Sequence, residues 1–488
     1  MRGSNAAARK DNAKRRQTAP EPQQLPGYRA GSGAGLLLSF ADIGEKGVSC
    51  VKAPIKPALA VAFATAVLLA GSHPARALNN NVETTRARTD GAYTQVIPYG
   101  FYNANTGLAA AAVVLGKGLI QPQVITVANA FVSTSGSYNL FLSNLDMQLP
   151  FSRRLFVDQV TYYSDLNEVD NYQDGNPAFP GERAGSNDSD ADNYIEATGD
   201  DLFAFLNFKY LLPIGHGREL PPHDFNLTNG MLDPDSAAGG ERWNPLKSGR
   251  TILEFRPFFR DQDFEDSDTS ATIENQTGGV KVTLEYDNTD WYNNPSTGTR
   301  QQLTWARDWG VTDDFPSWTA IQGRHSQYWN LGESGAAQQR VLAFDLWASH
   351  SPTWNDRETI DDAEVYSRPP LFEGSTLGGL WRQRGYPTNR FWDRSAINYT
   401  LEYRYMPRWN PFPDIPYVNK LFIPWWQWVA FAEVGRVHDE WDLGELHEDM
   451  KWTLGGSARL LVYELVIRVD VGVSEEGGEV QMFFNQPF

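Results

Sequence analysis

One guanidinium, in Gly378-Gly379-Leu380-Trp381-Arg382-Gln383-Arg384-Gly385-Tyr386, and three later carboxylates, Glu402, Glu433 and Asp470, are of types and at positions suited to an ion pair taken out of water. An arginine withdrawn from solvent loses its hydration unless carboxylates hold its planar, five-donor head in fork geometry. The expected chemistry is therefore an electrostatic latch, with Arg384 on Glu433 first and Glu402 and Asp470 as additional or alternative partners. Gly385 permits a sharp turn and close approach of the backbone. Reversing the charges, Arg384→Glu with Glu433→Arg, is expected to recover part of what Arg384→Glu loses.

Other chemistry finds little support. There is no G-x-S-x-G elbow, and the seven histidines show no H-E-x-x-H or comparable spacing, so no enzymatic activity and no cofactor is expected. A single cysteine, Cys50, excludes a disulfide scaffold or a cysteine-bound cluster. Asp188, Asp190 and Asp192 form a D-x-D-x-D run, but a calcium loop would need Gly at 193 and Glu at 199, where Asn193 and Gly199 stand. A solvated loop is the expected reading, with loose bridging of Ca²⁺ or Mg²⁺ to lipopolysaccharide phosphates as a secondary role. A net charge of −18 and a pI near 4.9 argue against nucleic acid as a partner.

The elements that must carry these residues are strands. At 41% hydrophobic residues, a multi-helix membrane protein is excluded, and period-two alternation recurs along the chain. In 398–405, Tyr399, Leu401, Tyr403 and Tyr405 face one way and Asn398, Thr400, Glu402 and Arg404 the other; Val280–Tyr286 and Leu465–Val471 repeat the pattern. Sixteen such segments are expected, at about 93–102, 106–116, 123–133, 138–148, 155–165, 200–211, 249–260, 279–289, 300–308, 317–328, 339–350, 396–406, 427–437, 451–461, 465–474 and 479–488. With the first strand starting in the periplasm, the acidic stretches 166–199 and 261–278 and the long 351–395 fall outside, and 149–154 and 462–464 become tight inner turns. That asymmetry is typical of outer-membrane barrels. The stretch 212–248 breaks it as a long periplasmic excursion of no assigned role. Aromatic residues make up 13%, and Trp425, Trp426 and Trp428 are expected at the membrane interface.

Residues 1–77 hold 11 basic and 4 acidic residues, leaving 31 basic against 56 acidic for the rest. Within this leader, 51–77 reads as a signal peptide: Lys52 and Lys56 precede the apolar run 57–71, and Ala75-Arg76-Ala77 offers a cleavage site after Ala77. Residues 1–50 have no such pattern, and the start is placed at Val51. Residues 78–92 are a linker, 93–488 the barrel.

Three patterns carry a family resemblance: the loop motif ending in Arg384-Gly385-Tyr386, Phe431-Ala432-Glu433-Val434-Gly435 on the thirteenth strand, and a last strand with Val480, Met482 and Phe484 on one face and Phe488 at its end. Together they resemble the BamA/TamA outer-membrane superfamily, the bacterial surface antigen family, over the whole barrel. The resemblance implies that the sixth outward loop folds into the lumen and that its arginine pairs with wall carboxylates. It also implies that Phe488, Phe484 and Met482 form the signal read by the barrel assembly machinery. The chain departs from the pattern at Gln383, where Val or Ile is usual, and at Glu433, where Asp is usual. Only about fifteen residues separate Leu78 from Tyr93, so no POTRA domain is expected.

The fold class expected is all-β: a sixteen-stranded antiparallel transmembrane barrel with an inward-folded loop, in the outer membrane of a Gram-negative cell, in contact with lipid and lipopolysaccharide. The function implied by the resemblance is non-enzymatic assistance in moving or inserting a protein or lipid, alone or with a separately encoded periplasmic or secreted partner. The alternative is a porin-like cation-preferring channel or a structural surface protein.

Overall fold

The computed structural model describes residues 79–82, 92–103, 107–173, 175–219, 223–311, 315–463 and 465–488. The expected leader, the start at Val51 and cleavage after Ala77 lie outside these residues, as does most of the 78–92 linker. Sixteen strands form one antiparallel sheet in which each pairs with its neighbours in chain order. They are β1 (Tyr93–Asn103), β2 (Gly107–Lys117), β3 (Ile125–Ser133), β4 (Tyr138–Gln148), β5 (Leu155–Asn171), β6 (Ile195–Leu211), β7 (Arg250–Asp266), β8 (Thr272–Asp287), β9 (Gly298–Asp308), β10 (Trp318–Asn330), β11 (Ala337–His350), β12 (Ser395–Pro407), β13 (Trp426–His438), β14 (Lys451–Val462), β15 (Leu465–Val473) and β16 (Gly478–Phe484). β1 and β16 form the two ends of the sheet and approach each other closely without a ladder among the described residues, so the barrel is nearly closed.

Side chains sort as the alternation requires. Along β15, Arg468, Asp470 and Gly472 are buried toward the lumen while Val469, Val471 and Val473 are exposed on the outer face. The outer row continues around the sheet through residues such as Leu108, Leu140, Leu253, Leu284, Leu303 and Leu401, all exposed. An apolar belt of that extent is costly in water and favourable in lipid.

Four strands run longer than the sequence suggests. β5 reaches Asn171 and β6 begins at Ile195, while β7 and β8 reach Asp266 and Thr272, so parts of the acidic stretches 166–199 and 261–278 are ladder rather than loop. The apolar signal stops where the belt stops, whereas hydrogen bonding continues as long as the partner strand stays in register.

β16 ends earlier than expected. Asn485 takes a left-handed conformation (φ 67°) and turns the chain off the sheet. Phe488 is therefore not on the outer row with Val480, Met482 and Phe484. It is 3% exposed and stacks on Tyr328 at 6.1 Å, beside the lumen-facing Val341 and Ala343. Pro487 has no N–H to continue a ladder, and its carbonyl accepts from Arg324 Nη2 at 2.8 Å.

The barrel end that carries 172–194 and 351–394 is here termed the outer end. At the inner end, 212–248 is not a free excursion. Its strand His223–Thr228 pairs with Met231–Leu232 on one side and, in parallel, with Asn79–Val82 on the other. Phe225 and Leu227 are buried against Trp291, Trp425 and the lumen-facing Met406, Leu461 and Val466. Trp425 Nε1 donates to the Gly230 carbonyl at 2.8 Å. This corrects the interface expectation for the tryptophans: Trp425 is fully buried beneath the 212–248 segment, which forms a lid at the inner end, Trp426 packs against Trp409 at 5.5 Å, and of the three Trp428 alone is exposed. A second apolar cluster joins Val418, Leu421 and Ile423 of the β12–β13 connection to Ile97, Val113 and Leu115 of β1 and β2 and to Leu460, Ile467 and Phe484 of β14 to β16, across the two ends of the sheet. The 212–248 segment is thus the one that packs apolar side chains against the lumen-facing residues of the inner end.

Candidate functional site, a loop latched in the lumen

The sixth outer connection, 351–394, carries the motif. Two short hairpins, 357–366 and the pair Ser375–Leu377 with Phe391–Asp393, frame it. Between the strands of the second, the chain dips into the barrel. Gly378 and Gly379 (φ 107° and 94°) start the descent, and Gln383 (φ 51°) sits in a turn closed by the Tyr386 N–H on the Gln383 carbonyl at 3.0 Å.

At the tip, Arg384 meets all three expected carboxylates. Nε donates to Glu433 Oε1 at 3.0 Å, Nη2 to Glu402 Oε1 at 3.0 Å and Nη1 to Asp470 Oδ2 at 3.2 Å. Its backbone N–H adds a bond to Glu433 Oε2 at 2.7 Å, and its guanidinium lies 3.7 Å from the centre of the Phe431 ring. Glu433 is thus held by side chain and main chain together, which makes it the principal partner. The longer side chain at this position brings one oxygen to each donor. Arg384 and Glu402 are fully buried, and Glu433 and Asp470 are 1% exposed, so the lumen is dry here. Burial works against the charge on Arg384, and the three carboxylates, Glu433 first, outweigh it and hold its pKa above the usual arginine range.

The remaining motif residues shape the seat. Gln383 Nε2 donates to Asn398 Oδ1 at 3.1 Å, and its Oε1 accepts from Thr453 Oγ1 at 3.0 Å. An aliphatic residue there would take the donor from Asn398 Oδ1 and the acceptor from the Thr453 hydroxyl proton, which accounts for the departure from Val or Ile. Gly435 brings its backbone against Asn398 and Gln383, where a methyl group would stand 2.8 Å from Asn398 Oδ1. Tyr386 is fully buried and meets Phe391 edge-on at 5.0 Å, in a cluster with Trp347, Leu377 and Val437. Gly385 donates to Thr453 Oγ1 at 3.3 Å, and an added methyl group would lie 2.9 Å from both the Val473 backbone carbon and Thr453 Cγ2. Gly385→Ala is therefore expected to lift the tip off β14 and β15 and make Gln383 and Tyr386 accessible. Hydrogen exchange of 380–388 is the measurement, and unchanged protection would refute it.

Sequence reasoning missed a second layer of cations. Arg459 binds Glu402 through Nη2 at 2.6 Å and Nη1 at 3.0 Å; Arg404 Nε donates to Glu402 Oε2 at 2.9 Å; and Arg468 pairs with Asp470. Four guanidiniums therefore face three carboxylates. Arg404 carries the surplus: its Nη1 and Nη2 are buried without hydrogen-bond partners, and the group lies 5.4 Å and 5.1 Å from the rings of Tyr328 and Phe488. The aromatic faces and the inserted tail take the place of a fourth carboxylate. The alternation that put Glu402 and Asp470 on the lumen face puts Arg404 and Arg468 there too, and could have identified them.

The loop is also stapled above the lumen. Arg390 Nε binds Glu476 Oε2 at 2.7 Å and its Nη2 the Ser189 carbonyl at 2.6 Å, while Arg183 pairs with Asp393. Asp188, Asp190 and Asp192 are exposed on this segment and do not converge. Among the described residues no group of three His, Cys, Asp or Glu side chains is placed to hold a metal ion.

No family model matches the chain, and no curated protein matches it. Solved structures do. BamA from Haemophilus ducreyi lacking POTRA domains 1–3 is 12% identical, with 81% of this chain and 69% of that chain covered and a TM-score of 0.45. CdiB from Acinetobacter baumannii is 11% identical, with 82% and 60% covered and a TM-score of 0.43. CdiB from Escherichia coli is 11% identical, with 82% and 63% covered and a TM-score of 0.46. The chain spans less than two thirds of the length of both CdiB chains.

Proposed function

We propose that this chain is a non-enzymatic outer-membrane barrel of the BamA/TamA surface-antigen type that assists the transport or insertion of a protein or lipid. The observation that carries the reading is the placement of Arg384. A loop from the outer end reaches the dry centre of the lumen and binds carboxylates on β12, β13 and β15, near the two ends of the sheet, β1 and β16, which share no ladder among the described residues. A barrel that must yield to a client needs such a line of weakness together with a device that holds the wall in one state. The exposed apolar belt supports a lipid surround, and Met482 and Phe484 on its outer face suit recognition by the barrel assembly machinery. Phe488, inside the lumen, has a packing role in that reading.

The rival reading, a cation-preferring channel, needs a continuous water path. Buried ion pairs at the centre and apolar packing at the inner mouth count against it. Photo-crosslinking amino acids placed at Tyr99 and Gln481, on the two seam strands, test the proposal in living cells. Adducts with an outer-membrane or secreted polypeptide, or with lipid, are the expected result. Self-adducts alone, with steady cation conductance of the purified protein, would overturn it in favour of a channel.

A further inference from the structure

At the outer end a cleft of about 240 Å³ opens between β8, the start of β10 and the 351–394 connection, away from the latch. Its walls include Trp318, Trp392 and Tyr366, and its polar lining includes Asn275, Gln173 and Arg368. Asn275 is 8% and Trp392 5% exposed, so these groups are set into the wall rather than lying on a surface. Two polar atoms of the lining residues, Gln173 Oε1 and Trp392 Nε1, are buried without a hydrogen-bond partner. Leaving such atoms unpaired costs stability that a ligand could return. Arg368 is pre-positioned: its guanidinium stands 4.2 Å from the centre of the Tyr366 ring and 4.7 Å from that of Trp354, and Nε donates to the Trp354 carbonyl at 3.2 Å.

The ligand must offer C–H groups to an apolar wall of Phe315, Pro316, Pro369 and Pro370 and several hydroxyls to amides and a guanidinium. It must also be small, because sites for drug-sized molecules run to about 300–1,000 Å³. A lipid chain would leave the amides unpaired. We propose that this cleft binds one pyranose ring of a saccharide. The ring is either a free sugar or one unit of a polysaccharide at the cell surface. A competing occupant is an extended peptide, because residues 272–277 of β8 have β7 as their one strand partner and leave the other backbone edge without a ladder. The single-ring volume and the two unpaired polar atoms favour the sugar.

The test uses the full chain folded in detergent micelles and saturation-transfer NMR, with glucose, galactose, mannose, N-acetylglucosamine and glucuronate as free probes and lipid-free lipopolysaccharide polysaccharide as the polymeric one. Saturable binding of at least one probe is expected, with a loss of tenfold or more in Asn275→Ala and in Gln173→Ala while heat-modifiable gel mobility is unchanged. Binding of a monosaccharide identifies a free-sugar site, and binding of the polymer alone identifies a surface-glycan site; both support the proposal. No saturable binding by any probe, equal affinity in both variants, or binding of extended peptides alone would overturn it.

Discussion

Replacing Arg384 with alanine should release the loop from the lumen. Removing one partner of a buried ion pair costs about 3–5 kcal/mol, because the other charge is stranded. The structure identifies which charge that is. Glu402 keeps Arg404 and Arg459, and Asp470 keeps Arg468, whereas Glu433 loses its cation and retains only neutral donors, Thr400 Oγ1 at 3.3 Å and the main-chain N–H of residue 384. The loss should therefore be recovered by Glu433→Gln in the same chain, which removes the stranded charge. The exchange Arg384→Glu with Glu433→Arg should not rescue, contrary to the expectation from a single pair, because a carboxylate at 384 would face Glu402 and Asp470. Tyr386→Cys in a background without Cys50 gives the readout. External maleimide should react slowly in the parent, rapidly with Arg384→Ala, and slowly again when Glu433→Gln is added. Equal labelling in all three would show that the loop is not held by this contact.

Opening the inner mouth should change conductance only when the latch is also broken. The lid, with Phe225 and Leu227 in an apolar cluster and Gly230 tied to Trp425, lies in series with the loop at the centre of the barrel. Flow through constrictions in series is set by the tighter one, so relieving either leaves the other in control. Replacing 223–232 with a short Gly-Ser linker, or breaking the latch with Arg384→Ala, should each raise single-channel conductance in planar bilayers by less than about twofold. The combination should raise it by tenfold or more. A large increase from the lid deletion alone would mean that the latch does not obstruct the lumen.

The difference between what was and was not legible in the chain follows from range. Alternation at period two is local, so the sixteen strands, the inward faces of Glu402, Glu433 and Asp470 and the position of the sixth outer loop could be read directly. The partnership of Arg384 with all three carboxylates could be narrowed but not ordered, because the choice depends on the register between β12, β13 and β15 and on a main-chain N–H that no pattern reveals.

Three features belonged to the tertiary structure alone. The ends of β5 to β8 pass beyond the apolar belt because pairing outlasts the lipid-facing pattern. The 212–248 lid has no periodicity of its own; its Phe225 meets Trp425, two hundred residues further along the chain, only because the sheet curls into a barrel. The tail of β16 reads as a continued strand until Asn485 turns it, and Phe488 enters the lumen because Tyr328, Arg404 and Arg324 leave a place for it there. A side chain's face is set by its immediate neighbours in sequence. Its partner is set by the closure of the sheet, which brings together residues that share no local signal.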